Sequence, residues 1–229
     1  TGRSWVMTDI GADLFGFTHR TFLEYFYAVH LDKQYETIEE LLGHLMPSIS
    51  DAKLDVVSHL AIQRKCENNR VRSSKFISFL VKNLPGNKLS EADANVIRFL
   101  GDSMEYMSVG EQDIRMASSA LFRAVVNATD RTSYGSAKDG LKAWIRNTNS
   151  KSHICVEEYG RCIQKCISQK NKEHIYISTD MVSEIMHLGI SSEYNASYIE
   201  EAKKRIRLVA DKDIYLARIM IKVDNSELE

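Results

Sequence analysis

The chain has 229 residues, 44% of them hydrophobic and 27% charged, with a formal net charge of -1. That is enough apolar material for one large domain or two small ones with a real core. The near-neutral balance excludes a global electrostatic field as the basis for binding nucleic acid or an anionic membrane. Two prolines and eleven glycines are little punctuation for this length, which favours helices over a strand-rich fold. No apolar run approaches the ~18 residues of a membrane-spanning helix. The four cysteines, Cys66, Cys155, Cys162 and Cys166, read as reduced thiols of a cytoplasmic protein. The opening TGRSWVM lacks an initiator methionine, so we expect a piece of a longer protein with a cloning remnant at Thr1-Gly2.

Ser4 to Phe17 is the one good hairpin pattern. Trp5 and Met7 alternate with Ser4, Val6 and Thr8, DIGAD supplies turn residues around Gly11, and LFGF returns. Asp9 and Asp13 flank the turn and are expected to shape it rather than catalyse. A lone hairpin is marginal and must lean on another element.

A helix is expected from about Thr18 to Lys33. Thr21 with Glu24 matches the S/T-x-x-E capping box, and Thr18 is an alternative cap. Phe22, Phe26 and Val29 form one apolar stripe and Leu23 with Tyr27 a second, so this helix is expected to be buried between layers.

Helical periodicity then continues to the end of the chain. Ile38, Leu41, Leu42 and Leu45 predict a helix stopped near Pro47. Leu54, Val57, Leu60 and Ala61 predict the next, and Phe76, Ile77, Leu80, Val81 and Leu84 another that breaks at Pro85-Gly86. Val96, Ile97, Leu100 and Met104 follow the candidate cap Ser90. Ile114, Ala117, Leu121 and Val125 share a face, as do Leu141, Trp144 and Ile145. Ile154, Tyr159, Cys162, Ile163, Cys166 and Ile167 continue the series. Val182, Ile185 and Met186 give a shorter piece, and Ile199 to Ile219 one or two terminal helices. NLPGNKLS, TDRTSYGS and NTNSKS are the most loop-like stretches. In all, nine or ten helices are expected, packed as antiparallel pairs with short connections, with no legible repeat.

The residues Phe15, Phe17, His19, Arg20, Phe22, Glu24, Tyr25, Phe26 and Ala28 fit the pattern F-x-F-x-H-R-x-F-x-E-Y-F-x-A. This resembles the winged-helix segment that ends the nucleotide-binding module of NACHT-type NTPases, within the class of signal-transducing ATPases with numerous domains (STAND). SWVMTDIGADL looks like the wing hairpin of that family. The resemblance covers residues 4 to 31. It implies that His19, at a helix start, contacts a phosphate of bound ADP and latches the closed state. A histidine N–H, neighbouring backbone amides and the positive end of the helix dipole all suit an anion there. Exchange to ATP would break the latch. Glu24 and Tyr25 are read as structural.

No G-x-x-x-x-G-K-[ST] is present; PGNKLS and GSAKDG have glycine and lysine in the wrong order. The chain is therefore expected not to be an enzyme by itself, ATP or ADP with Mg being bound by the full-length protein, an ATPase. The resemblance implies a fold that is mainly α. An N-terminal β-hairpin of a partial winged helix occupies residues 1–35, and an all-helical, solenoid-like sensor or interaction region residues 36–229. It also implies a C-terminal regulatory role in a bacterial antiphage defence protein. The implied partners are the upstream NACHT module, an unidentified ligand of which a phage protein is one candidate, and further copies on activation; no membrane is implied.

Three other groupings stand out. Cys155, Cys162 and Cys166 fall on one helical face, with His153 and His174 nearby, but lack zinc-type spacing and read as core thiols. EEAKKRIR offers Glu200–Lys204 and Glu201–Arg205 as i,i+4 pairs of a solvated face. RKCENNRVRSSK places Arg64, Lys65, Arg70, Arg72 and Lys75 at a helix–helix junction, balanced only by Glu67. That cluster carries the alternative reading, a helical nucleic-acid-binding module meeting the phosphate backbone or an acidic partner.

Overall fold

The computed structural model describes residues 6–84, 88–128, 131–148 and 151–168. Among them the fold is mainly helical with an N-terminal two-stranded antiparallel hairpin, β1 (Met7–Gly11) and β2 (Leu14–Phe17). Eight α-helices follow: α1 (Arg20–Gln34), α2 (Ile38–Ser50), α3 (Asp55–Cys66), α4 (Arg70–Asn83), α5 (Glu91–Ser103), α6 (Glu111–Val126), α7 (Arg131–Asn147) and α8 (Ser152–Ser168). A single 3-10 turn, Met104–Tyr106, extends α5. The expected pieces around Val182 and Ile199–Ile219, and the EEAKKRIR cluster, lie outside the described residues, as do the Pro85-Gly86 break and His174.

The hairpin turn is built as its residues suggest. Gly11 has φ +91° and Ala12 and Asp13 occupy the left-handed region, which glycine tolerates and aspartate visits more readily than most residues. The Gly11 amide donates to Asp9 Oδ1 at 2.8 Å.

The helices stack on their next-but-one neighbours. α3 lies against α1 and α7 against α5; α2, α4, α6 and α8 form a second row, α2 also touching α3 and α5 and α6 and α8 also touching α7. This is the solenoid-like arrangement that the succession of short helices calls for. Thr37 and Ser90 start α2 and α5 with complete capping boxes to Glu40 and Asp93. The core runs continuously from Ala28 and Leu31 of α1 through Leu41, Leu45, Ile62, Phe76 and Ile97 to Phe122, Trp144 and Tyr159.

Several sequence expectations give way to tertiary packing. α2 does not stop at Pro47 but runs through it to Ser50, because Leu45 and Ile49 on either side are buried. Their burial outweighs the hydrogen bond that the imide removes. Leu54 is not part of the buried face of α3; it is exposed and left-handed at the helix start. Arg131 to Ser136, read as loop, form the first turns of α7, where Ser133, Ala137 and Gly140 are buried at helical spacing. Their small size, which looks like turn chemistry in sequence, permits close approach to α5. GSAKDG is thus interior helix.

Cys155 is buried, with its sulfur 3.4 Å from Thr148 Oγ1. Cys66 is also buried, its thiol pushed up to about 11 by burial. A thiol held protonated is chemically quiet. No described helix is long and apolar enough to cross a membrane.

Candidate functional site

His19 is the residue that precedes α1, with extended backbone (φ -134°, ψ 140°). No side chain caps the helix: the Thr21–Glu24 box does not form, and Glu24 instead pairs with Arg20 at 2.7 Å. Thr18, the alternative cap, turns back to the hairpin, its amide and hydroxyl both donating to the Val6 carbonyl at 2.9 and 3.2 Å. Thr18 therefore docks the hairpin rather than starting the helix. The helix start is left with amides that no side chain satisfies and no acidic residue in its first turn. His19 itself is exposed, tilted against Phe22 with ring centroids 6.1 Å apart, and the Arg20 side chain is 86% exposed. An exposed imidazole at an uncapped helix start suits an anion, while the Arg20 guanidinium is held by Glu24.

The helix is not buried between layers as its apolar stripes suggest. Only Ala28 and Leu31 are buried, both in the stripe that joins the core next to α3. Leu23, Tyr25, Phe26 and Tyr27 remain exposed, and so do Ile10, Leu14 and Phe15 of the hairpin, Phe15 at 62%. Phe17 stacks on Phe26 at 5.7 Å, and Tyr25 meets Phe26 edge-on. The hairpin thus leans on α1 through the Phe17–Phe26 pair, and both elements leave apolar side chains uncovered. Patches of this kind on soluble domains mark contact surfaces. Periodicity reports that a face is apolar but not whether a neighbour covers it.

The basic cluster is split: Arg70, Arg72 and Lys75 are exposed, Arg64 is partly exposed and Lys65 is buried. Lys65 is 5% exposed. Its ammonium reaches Asp32 Oδ1 at 2.9 Å and the carbonyls of Asp32 and Tyr35 at 2.5 and 2.7 Å. Arg64 lies 3.4 Å from Asp32 Oδ2 and over the Tyr25 ring at 6.0 Å. Arg72 donates to the Lys65 carbonyl, Lys75 pairs with Glu39 at 3.2 Å, and the Arg70 guanidinium lies over Gly110. The sequence suggested only Glu67 as counter-charge; the partners come instead from α1 and α2, far away in the chain. A buried ammonium with three acceptors is not available to a phosphate backbone, so Lys65 is corrected from a contact residue to an internal one.

A polar cluster that sequence reasoning did not single out joins α3 to α5. His59 Nδ1 lies 2.9 Å from the Tyr106 hydroxyl and 3.3 Å from Ser103 Oγ, the tyrosine donating to the serine at 2.9 Å. Nε2 faces Asp55 at 3.6 Å, and the ring lies against Phe99. Serine, histidine and aspartate are all present, but Ser103 is fully buried, so no substrate reaches its hydroxyl. The cluster is packing made polar.

It has a pH signature. Burial pushes the His59 imidazolium below its ordinary 6.5, Arg98 adding to this, against the pull of Asp55 and Asp102. The unfolded chain then binds the proton more tightly than the folded one. Stability should hold above about pH 6.5 and fall as the pH drops through the folded-state value. Asp102, whose carboxyl burial pushes up, responds with the opposite sign at lower pH. Urea midpoints measured from pH 7.5 to 5 should fall more steeply for the wild type than for His59→Gln; equal slopes would dismiss the assignment.

Among the described residues no group of three or more histidine, cysteine or acidic side chains is placed to hold a metal ion. No family model, no curated protein and no solved structure matches this chain.

Proposed function

We propose that this chain is the C-terminal sensor and regulatory region of a NACHT NTPase, of the kind used in bacterial antiphage defence. The hairpin and α1 supply the end of its winged helix. The helices after Thr37 recognise a ligand and bias the opening and oligomerisation of the full-length protein. The observation that carries this reading is the exposure of His19 at an uncapped helix start beside uncovered aromatic side chains. An imidazole sunk among apolar neighbours could not reach a nucleotide held by another module; this one is free to do so. ADP would supply the anion and the γ-phosphate of ATP the trigger. What this chain contributes is a donor N–H, a helix dipole and an apolar surface for the nucleotide-binding module to rest on. The burial of Lys65 and the pairing of Arg64 with Asp32 and of Lys75 with Glu39 weaken the nucleic-acid alternative, although Arg70, Arg72 and Lys75 are exposed.

In the full-length protein, His19→Ala should speed ADP release about tenfold, the loss of one hydrogen bond to a charged group, and raise basal signalling. Nucleotide release measured with a fluorescent ADP analogue checks this. Unchanged release with unchanged signalling refutes the latch.

A further inference from the structure

Lys65 offers more than a lost phosphate contact. Its three N–H donors are all used, and all at the carboxyl end of α1: the Asp32 carboxylate, the Asp32 carbonyl and the carbonyl of Tyr35, which follows the helix. The last carbonyls of a helix have no partners within it. Here they are closed by an ammonium from α3, where positive charge also meets the negative end of the α1 dipole. Arg64 places a second cation beside the same carboxylate and over Tyr25. Arg72, at the start of α4, donates to the Lys65 carbonyl and so ties the clasp to the next helix.

Set against this, the apolar hold on α1 is slight. Of its fifteen residues only Ala28 and Leu31 are buried, whereas α5 and α6 bury seven and eight. An element with few buried contacts opens locally at lower free energy than the body it joins. Loss of Lys65 takes from Asp32 its nearer counter-charge, leaving Arg64 at 3.4 Å, and strips two helix-end carbonyls of their donor, which is costly at a buried site. The Lys65–Asp32 clasp is thus a large share of what keeps α1 seated.

We infer that the hairpin and α1 form a separately releasable arm, latched to the helical body by the buried Lys65 ammonium at the carboxyl end of α1. The arm carries His19 at its other end, so seating and release of the latch set where that side chain points. The inference does not depend on what His19 binds, because release of the arm is a property of how α1 is held by the helical body.

Hydrogen–deuterium exchange on this chain tests it. In Lys65→Met the exchange of α1 amides should rise about a hundredfold, while α4 to α7 keep their wild-type protection. Asp32→Asn retains both carbonyl acceptors and should raise α1 exchange by a smaller factor. Unchanged α1 exchange in Lys65→Met overturns the latch. So does a rise spread equally over α1 and α4 to α7, which would make the arm part of one cooperative unit. Should Lys65→Met fail to fold, Asp32→Asn decides alone: selective loosening of α1 supports the latch, and uniform or absent loosening overturns it.

Discussion

Gly140→Ala should destabilise the chain by about 3 kcal/mol, at the upper end of what one inserted methyl costs in a packed interior. α5 and α7 cross so closely that a Cβ on Gly140 would stand 2.6 Å from both the Cα and the N of Arg98 and 2.8 Å from the Ile97 carbonyl carbon. These are backbone atoms of a helix and cannot turn aside as a side chain would. On the facing helix, a Cβ on Gly101 would meet the Gly140 carbonyl oxygen and, at 3.0 Å, the Trp144 nitrogen. Asn147 crosses the same seam to donate to the Gly101 carbonyl at 3.0 Å. The intrinsic preference of helices for alanine over glycine works the other way, by about 1 kcal/mol. The sign therefore distinguishes the crossing from the propensity. Gly135, on the same helix α7, has open space where its Cβ would be, and Gly135→Ala should stabilise by roughly 0.5–1 kcal/mol. Urea unfolding of both variants measures the pair. A stable Gly140→Ala would mean that the helices are not in contact here.

Trp144→Ala should cost about 3–5 kcal/mol. The indole is fully buried and its Nε1 donates to Ser118 Oγ at 2.9 Å, joining α7 to α6. Truncation opens a cavity at the centre of the second half of the core and removes the donor to Ser118 in a site that water does not reach. Trp144→Phe keeps most of the apolar volume but not the N–H, and should lose less. Loss of under ~1 kcal/mol in Trp144→Ala, measured from denaturant midpoints, would contradict so buried a position.

Much of the helical body is legible in its sequence. The cap at Ser90, the face of Ile114, Ala117, Leu121 and Val125, and the trio Leu141, Trp144 and Ile145 are all found where the local sequence puts them. So is the hairpin around Gly11. Each of these signals is local: a cap is read within one turn, a buried stripe within two or three. His19 is legible in the same sense, as a histidine at a helix start inside an aromatic pattern.

Neighbours distant in the chain decided the rest. Whether an apolar stripe is covered depends on another element, so α1 reads as buried and stands half uncovered. Whether a lysine faces solvent depends on what lies opposite, so Lys65 reads as part of a patch and is buried against Asp32, with Arg64 beside it and Lys75 paired to Glu39. Whether serine, alanine and glycine mean a turn or a close helix crossing depends on the partner helix, so TDRTSYGS reads as loop where α7 begins. Local patterning fixes which surfaces can be buried and where helices start. Only the packed chain assigns each surface its partner, because burial and charge pairing are properties of two elements and a sequence window holds one.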